Sequence, residues 1–187
     1  MLEFRPLPID HPDALVLIEE LQAFYVERYG DGDLTPMTAA EFAPPAGYFV
    51  VGHVDGAVAA CGGWRLHADG PGATDLAEAG LRPGDAELKR MYVRPGHRGR
   101  GYARALLAHL EDAARSAGAR RVVLETGLRQ PEAIALYRSA GYVPTTKFGV
   151  YRHEPGSRCF AKDLLGGDGG PAVGELGAQG GQVDLVR

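Results

Sequence analysis

Hydrophobic residues in the first part of the chain follow spacings typical of a strand and of two helices. Residues 2–7 predict a short strand. Further on, apolar residues recur with a period near 3.6, which predicts a helix capped by Asp10 with Pro12 in its first turn. The apolar positions of this helix are Ala14, Leu17, Ile18, Leu21 and Tyr25. A second short helix is predicted over residues 38–42, before Pro44 and Pro45.

A hairpin and alternating strands and helices follow. GYFVVGHV and GAVAACGGWRL flank Asp55 and Gly56, a dipeptide typical of a two-residue hairpin turn. The later predicted elements are the strand AELKRMYV, the helix HRGRGYARALLAHLEDAARSAG, the strand RRVVLET, the helix QPEAIALYRSAG and the strands GYVP and RCFAKDL. The order predicts an α/β (α+β) fold, with a mixed, mostly antiparallel sheet of about six to seven strands flanked by about four helices.

Glycine content separates the end of the chain from the rest. Residues 166–187 contain eight of the 27 glycines. We therefore predict one domain over residues 1–165 and a Gly-rich tail over residues 166–187. A flexible end is the favoured interpretation of the tail, and a small hairpin or a strand lent to a neighbouring subunit of a homodimer is the alternative.

Composition is that of an ordinary globular protein. The chain has 187 residues, of which 45% are hydrophobic and 24% charged, and its mean hydropathy is −0.16. These values exclude a disordered chain, and no apolar run approaches the ~20 residues of a spanning helix. The first residues lack the apolar core of an export signal, so we expect a cytoplasmic protein without a membrane partner. Cys61 and Cys159 lack C-x-x-C spacing and the histidines lack H-E-x-x-H spacing, so no metal is predicted.

Charge is concentrated in one segment. The whole chain carries −4, whereas residues 87–121 contain nine Lys/Arg and three acids, a local charge of +6. A chain that is acidic overall is a poor nucleic-acid binder, and no nucleic-acid partner is expected. The basic segment instead suits a small ligand that bears several phosphate charges.

A glycine-rich turn lies at the centre of that segment, between a predicted strand and the start of the clearest helix. Backbone N–H groups at a helix start bind phosphate, and Gly99 and Gly101 allow a close approach. A solvated arginine loop is one alternative. A dinucleotide-binding turn is another, although Arg104 stands where its third glycine belongs, and no P-loop motif is present.

The turn matches a known motif. Arg98-x-x-Gly101-x-Ala103 fits R/Q-x-x-G-x-G/A, and ELKRMYVRPGHRGRGYARALLAHL resembles the strand, turn and helix that bind acetyl-coenzyme A in the GNAT superfamily of N-acetyltransferases. EAIALYRSAGY resembles the second motif of that family, in which an Asn commonly stands seven residues before a tyrosine. Gln130 takes that place before Tyr137. The resemblance covers residues 1–164 and is most specific over residues 87–142.

The resemblance implies a GNAT-like acyl-CoA N-acyltransferase fold and a cytoplasmic enzyme. It further implies that this enzyme moves an acetyl group from acetyl-CoA to a primary amine by direct attack in a ternary complex. Backbone groups of Met91 and Val93 would pair with the pantetheine arm, and a backbone N–H near Tyr92 or Val93 would stabilise the oxyanion. The implied cofactor-binding residues are Met91, Tyr92, Val93, Arg98, Gly99, Arg100, Gly101, Tyr102, Ala103 and Gln130.

Two side chains are the predicted catalytic groups of such an enzyme. Glu87 begins the strand that leads into the turn, where the family often places its base, and would accept the amine proton directly or through a water. Tyr137, which the resemblance places beside the sulfur, would protonate the departing thiolate. The alternatives are a strand-end Glu87 paired with Lys89 or Arg90, and a Tyr137 that only packs in the core.

The acceptor is open at this stage, and a small-molecule amine, a peptide N-terminus and a protein lysine all fit. Acidic residues that would attract a cationic amine are Glu27, Asp31, Asp33 and Glu41, and aromatic residues that would wall a pocket are Tyr48, Trp64, Phe148 and Tyr151. A non-catalytic acyl-CoA-binding sensor of the same fold is the alternative function.

Overall fold

A seven-stranded sheet forms the centre of the computed structural model, which describes residues 1–67 and 80–164. Its strands are β1 (Leu2–Pro6), β2 (Gly47–Val54), β3 (Ala57–Leu66), β4 (Asp85–Val93), β5 (Arg121–Gly127), β6 (Val143–Pro144) and β7 (Ser157–Asp163). The strand order is β1-β2-β3-β4-β5-β7-β6, and only the β4/β5 pair is parallel. The predicted mixed, mostly antiparallel α+β sheet is therefore confirmed, and the predicted Gly-rich tail lies outside the described residues.

Three α-helices flank the sheet within the described residues, one fewer than the sequence predicts. They are α1 (Pro12–Tyr29), α2 (Tyr102–Ser116) and α3 (Pro131–Ser139). The short helix predicted over residues 38–42 is a single 3₁₀ turn, Ala39–Phe42. It ends there because prolines at 44 and 45 supply no N–H groups to continue a helix.

The cap of α1 also differs from the prediction. The helix begins at Pro12, so its cap is His11 rather than the exposed Asp10. The Nδ1 atom of His11 accepts a hydrogen bond from the Asp13 backbone N–H at 3.1 Å. An imidazole nitrogen therefore satisfies one of the unpaired N–H groups of the first turn, the role predicted for the aspartate.

The two faces of the sheet carry separate cores. α2 and α3 cover one face, where Leu106, Leu107 and Leu110 pack against Leu88 and Leu124. α1 covers the other face; there Leu17 and Leu21 belong to the same buried cluster as Phe49, Val51 and Cys61. Cys61 and Cys159 are both buried and unpaired, as their spacing predicts. In the described part of the chain no helix has the length and apolarity needed to cross a membrane.

The parallel pair β4/β5 separates along its length. The strands pair from Asp85↔Arg121 to Leu88↔Leu124. β4 then continues to Val93 without β5 as a neighbour, while β5 remains paired with β7 up to Gly127. The two strands therefore diverge toward their carboxyl ends, and a cleft opens between them.

A buried ion pair fixes the point from which these strands diverge. Arg121 donates through Nε to Asp85 Oδ1 at 2.8 Å and through Nη2 to Asp85 Oδ2 at 2.5 Å. Both side chains are almost fully buried, and the Arg82 backbone N–H donates to the same carboxylate at 2.8 Å. The pair joins the first residues of β4 and β5, so it sets the register upstream of the cleft.

Asp85→Ala is expected to lower the free energy of unfolding by about 3 to 5 kcal/mol, since it leaves the buried Arg121 charge without a partner. Asp112→Ala is the matched control, because Asp112 pairs with Arg115 at 2.5 Å on the exposed side of α2 and such pairs contribute at most ~1 kcal/mol. Urea unfolding of both variants measures the difference. Equal losses of stability would show that the Asp85–Arg121 pair does not hold the two strands.

Candidate active site

The diverging strands enclose a cleft of about 490 Å³. Residues 88–91 of β4 and residues 124–127 of β5 form its floor, and the end of α1 with the loop after it forms one wall. The start of α3, the loop before β7 and the first residue of β7 complete it. Cleft residues thus come from segments far apart in the chain, and the strand divergence brings them together.

Tyr137 enters this cleft from α3. Its side chain is buried, its phenol donates to the sulfur of Met91 at 3.9 Å, and its ring lies 5.7 Å from that of Tyr142. Burial raises the pKa of Tyr137 to about 12. The phenol therefore keeps its proton at all ordinary pH values and is able to donate it.

Glu87 lies beneath the cleft rather than on its surface, because it is absent from the lining and its side chain is 2% exposed. Lys89 Nζ lies 2.7 Å from its Oε1, and Oε2 is held by Arg65 Nε at 2.8 Å and His67 Nε2 at 3.0 Å. Burial alone would raise the pKa of Glu87, but the His67 hydrogen bond and the charges of Lys89 and Arg65 outweigh it and hold the pKa well below its usual range. A carboxylate so stabilised is a weak base.

A second carboxylate, Glu125 of β5, does line the cleft. Ser157 Oγ donates to its Oε1 at 2.6 Å. Burial raises the pKa of Glu125 and outweighs the opposing effects of the Ser157 hydrogen bond and the Lys89 charge. Glu125 therefore has the properties of a base that the sequence prediction sought in Glu87. Its signal in the sequence is slight, an acid at the end of the buried strand RRVVLET.

The loop after α1 closes one side of the cleft. Gln22 holds this loop through two hydrogen bonds with the Asp33 backbone, at 2.8 Å to its N–H and 3.3 Å to its carbonyl. The Asp33 carboxylate accepts from Arg90 Nη1 and, at 2.9 Å, from the Thr35 backbone N–H. Burial would raise the pKa of Asp33, but the Thr35 hydrogen bonds and the Arg90 charge lower it. Asp33 is therefore an anion on the cleft wall.

The glycine-rich turn leads into α2 as predicted. Gly101 is the N-cap residue with φ +79°, Gly99 has φ +74°, and both are exposed, with nothing within 4 Å of the point where a Cβ atom would lie. Among the described residues, no group accepts a hydrogen bond from the backbone N–H groups of residues 99–104. Free amides at a helix start, in a stretch with Arg100 and Arg104, are chemically suited to an anion such as a diphosphate.

Two predicted cofactor residues have structural contacts of their own. The Arg98 backbone N–H donates to Pro95 at 3.2 Å and its Nε donates to the Val93 carbonyl at 2.9 Å, so its amide is not among the free ones. The Arg98 guanidinium also lies over the ring of Tyr92, at 5.7 Å from its centroid. Gln130 is at the cleft edge, where its amide donates to Tyr29 Oη at 3.1 Å. These side chains hold the turn and the start of α3.

The other predicted cofactor residues lie on β4 and α2. Met91 lines the cleft, whereas Tyr92 and Val93 continue β4 toward the turn and are buried. Tyr102 and Ala103 open α2 and are partly buried against the core. The structure therefore arranges the predicted cofactor residues as one continuous path, from the cleft along β4 to the turn.

The predicted acceptor residues divide into two groups. Asp31, Asp33 and Tyr151 line the cleft. Glu41 instead pairs with Arg65 at 2.7 Å, and Phe148 is fully buried. Tyr48 and Trp64 line a different, shallow pocket on the α2 side of the sheet. Glu27 is an exposed residue of α1. Within residues 1–67 and 80–164 there is no group of three or more His, Cys, Asp or Glu arranged to hold a metal ion.

Comparison with known proteins gives consistent results. The family model described as "Acetyltransferase (GNAT) family" matches residues 15–142. The chain is 35% identical over 153 residues to an IAA acetyltransferase from Azospirillum brasilense, covering 81% of this chain and 92% of the relative. It is 37% identical over 91 residues to a mycothiol acetyltransferase from Beutenbergia cavernae, covering 47% of this chain and 30% of that protein.

Solved structures share the same fold. A Klebsiella pneumoniae structure described as an acyl-CoA N-acyltransferase matches with TM-score 0.69 and 29% identity, covering 88% of this chain and 99% of that chain. PaiA N-acetyltransferase from Thermoplasma acidophilum, solved in complex with coenzyme A, matches with TM-score 0.60 and 14% identity, covering 87% and 99%. The latter likeness shows the fold alone.

Proposed function

Since the chain belongs to the acetyltransferase (GNAT) family, we propose that it transfers an acetyl group from acetyl-CoA to a primary amine by direct attack in a ternary complex. Family membership and the acetyltransferase relatives make it an acyltransferase enzyme. The observation that carries the proposal is the connected site: free amides at the start of α2, the open edge of β4, and a cleft with a buried phenol and a basic carboxylate.

The residues present fit coenzyme A. The free N–H groups of residues 99–103 would hold the diphosphate, because they have no acceptor within the described residues and Gly99 and Gly101 place no side chain in the way. Beyond Leu88, β4 has no β5 partner, so the backbone groups of Met91 and the N–H group of Val93 would pair with the pantetheine arm, while the Val93 carbonyl accepts from Arg98 Nε. When bound, acetyl-CoA supplies an acyl group that is activated as a thioester.

Two side chains would transfer the protons of the reaction. Glu125 would accept the proton that the amine loses as the N–C bond forms, directly or through a water. Tyr137 would donate its proton to the sulfur as the C–S bond breaks, and a backbone N–H of β4 near Tyr92 or Val93 would stabilise the charge on the acyl oxygen. Glu87, predicted as the base, would instead hold Lys89 and Arg65 in place.

The pH dependence of kcat distinguishes the two carboxylates. A base acts only when deprotonated, so activity should rise as pH passes through the raised pKa of Glu125, and the high pKa of Tyr137 keeps the alkaline side flat up to about 12. Glu125→Gln should flatten the acidic limb and lower kcat near neutral pH at least about 10-fold. Glu87→Gln should keep the acidic limb of the pH profile. If Glu87→Gln loses this limb and Glu125→Gln keeps it, Glu87 is the base.

A panel of amines tests the proposed function. The protein is incubated with acetyl-CoA and each amine, thiol release is followed, and the products are identified by mass spectrometry. We expect acetylated amine in amounts that match the released thiol, with no acetyl group left on the protein. Binding of acetyl-CoA without turnover on any amine would contradict an enzyme and favour a sensor.

A further inference from the structure

A bulge in β4 places two cations side by side on the cleft floor. β3 pairs Gly63 with Lys89 and Cys61 with Tyr92, so one residue of β3 faces two residues of β4. Arg90, at this bulge, has φ +55°, a conformation that non-glycine residues rarely adopt. In a regular strand Lys89 and Arg90 would point to opposite faces, whereas here both line the cleft.

Both cations are buried and only partly paired. Their side chains are 8% and 5% exposed. Within residues 1–67 and 80–164, Lys89 has one carboxylate partner, Glu87, and Arg90 has one, Asp33, which it contacts through Nη1. Among the described residues, neither Nε nor Nη2 of Arg90 has an acceptor, and Nε is fully buried. A buried donor without a partner is costly unless a ligand supplies the acceptor.

In two other arginines of this protein, the guanidinium edge formed by Nε and Nη2 binds a carboxylate. Arg121 binds Asp85 through Nε and Nη2, and Arg94 binds Glu20 through the same two nitrogens, with Nη2 at 2.6 Å. In each case the two parallel N–H groups match the two oxygens of one carboxylate. The equivalent edge of Arg90, a residue of the cleft lining, has no acceptor among the described residues.

The remaining charges of the cleft favour an acceptor that carries both a positive and a negative charge. Asp31 and Glu154 line its mouth and are exposed, and Asp33 and Glu125 lie deeper. These carboxylates attract an ammonium group and repel a purely anionic molecule. The two cations of the floor in turn suit a carboxylate, so a zwitterion is complementary to both sets.

We propose that the acceptor is an amino acid, whose carboxylate binds the free Nε–Nη2 edge of Arg90 beside Lys89 and whose amine faces Glu125. The inference rests on the proposed function, because it names the acceptor of that same site. It separates a free amino acid from a peptide N-terminus and from a protein lysine, neither of which has a carboxylate next to the reacting amine.

Matched acceptors test this choice. Each of several amino acids is compared with its carboxamide and with the amine formed by removing its carboxylate, using kcat/KM from thiol release. We expect the amino acid to exceed both counterparts at least about 10-fold in kcat/KM, the contribution of a charge-assisted pair of hydrogen bonds. Equal or better use of the carboxamide or the amine would overturn the inference while leaving the proposed function intact.

Two variants locate the effect at Arg90. Arg90→Lys keeps the charge opposite Asp33 but lacks the two-nitrogen edge, so the preference for the amino acid should fall to within about 3-fold. Arg152→Gln removes an exposed arginine outside the cleft lining and should keep the full preference. The preference is a ratio measured on one protein, so a change in folded fraction does not alter it. An undiminished preference in Arg90→Lys would contradict the assignment.

Binding to the protein loaded with coenzyme A separates the remaining outcomes. If no acceptor is acetylated but amino acids bind in calorimetry and Arg90→Lys weakens them about 10-fold, the carboxylate site stands and the proposed transfer fails. If no amino acid binds and no amine of any kind is acetylated, both the carboxylate site and the proposed transfer fail.

Discussion

Gly101→Glu is expected to abolish binding of coenzyme A, with an affinity loss of at least about 100-fold. Gly101 is the N-cap of α2, and its neighbours supply the free amides of the turn. A glutamate there places a negative charge where the diphosphate would lie and adds a side chain at φ +79°, a conformation that favours glycine. Isothermal calorimetry with coenzyme A measures the loss.

Gly118→Glu is the matched control for this variant. Gly118 follows the other end of α2, has φ +85° and likewise has nothing within 4 Å of a Cβ position. The substitution therefore adds the same charge and a similar backbone strain away from the turn, and coenzyme A should bind as tightly as to the wild type. Binding of Gly101→Glu within about 3-fold of the wild type would contradict the diphosphate site.

Tyr137→Phe is expected to lower kcat by about 100-fold or more, because it removes the only phenol proposed to protonate the thiolate. Affinity for coenzyme A and the melting temperature should change little, since within the described residues the one hydrogen bond of the hydroxyl is to the Met91 sulfur, at 3.9 Å. Steady-state kinetics at saturating substrates, with a thermal melt of the same sample, separates the catalytic effect from a loss of folded protein.

Tyr142→Phe is a close control for Tyr137→Phe. Tyr142 is a buried tyrosine of the same cluster, but it does not line the cleft and its hydroxyl has no hydrogen-bond partner among the described residues. Burial raises the pKa of Tyr142 as it does that of Tyr137. We expect its kcat to remain near that of the wild type. Equal losses in the two variants, or none in Tyr137→Phe, would remove Tyr137 from the mechanism.

The sheet, the helices and the glycine-rich turn are predictable from sequence because their signals are local. Asp55 and Gly56 form the predicted hairpin turn, with φ +52° and +83°. The period of apolar residues in α2 and the glycines before it are likewise read within one stretch of chain. The short helix predicted over residues 38–42 forms as a single 3₁₀ turn, because the two prolines that follow supply no N–H groups to extend it.

Local sequence signals do not decide which of two carboxylates acts as the base. Glu87 and Glu125 both stand on strands, and what separates them is the set of neighbours that the fold supplies. Glu87 meets cations from β3 and β4, whereas Glu125 meets a serine from β7 and the open cleft. The position of Arg90 on the cleft floor also depends on a bulge, which reverses the side expected from strand alternation.

Calorimetry that compares coenzyme A with pantetheine tests the central claim most directly. Pantetheine keeps the thiol arm but lacks the diphosphate that the free amides before α2 are proposed to hold. We expect coenzyme A to bind and pantetheine to bind at least about 100-fold more weakly, since charge-assisted hydrogen bonds to several amides are lost. Equal affinity for the two molecules, or no binding of coenzyme A to the folded protein, would contradict the account.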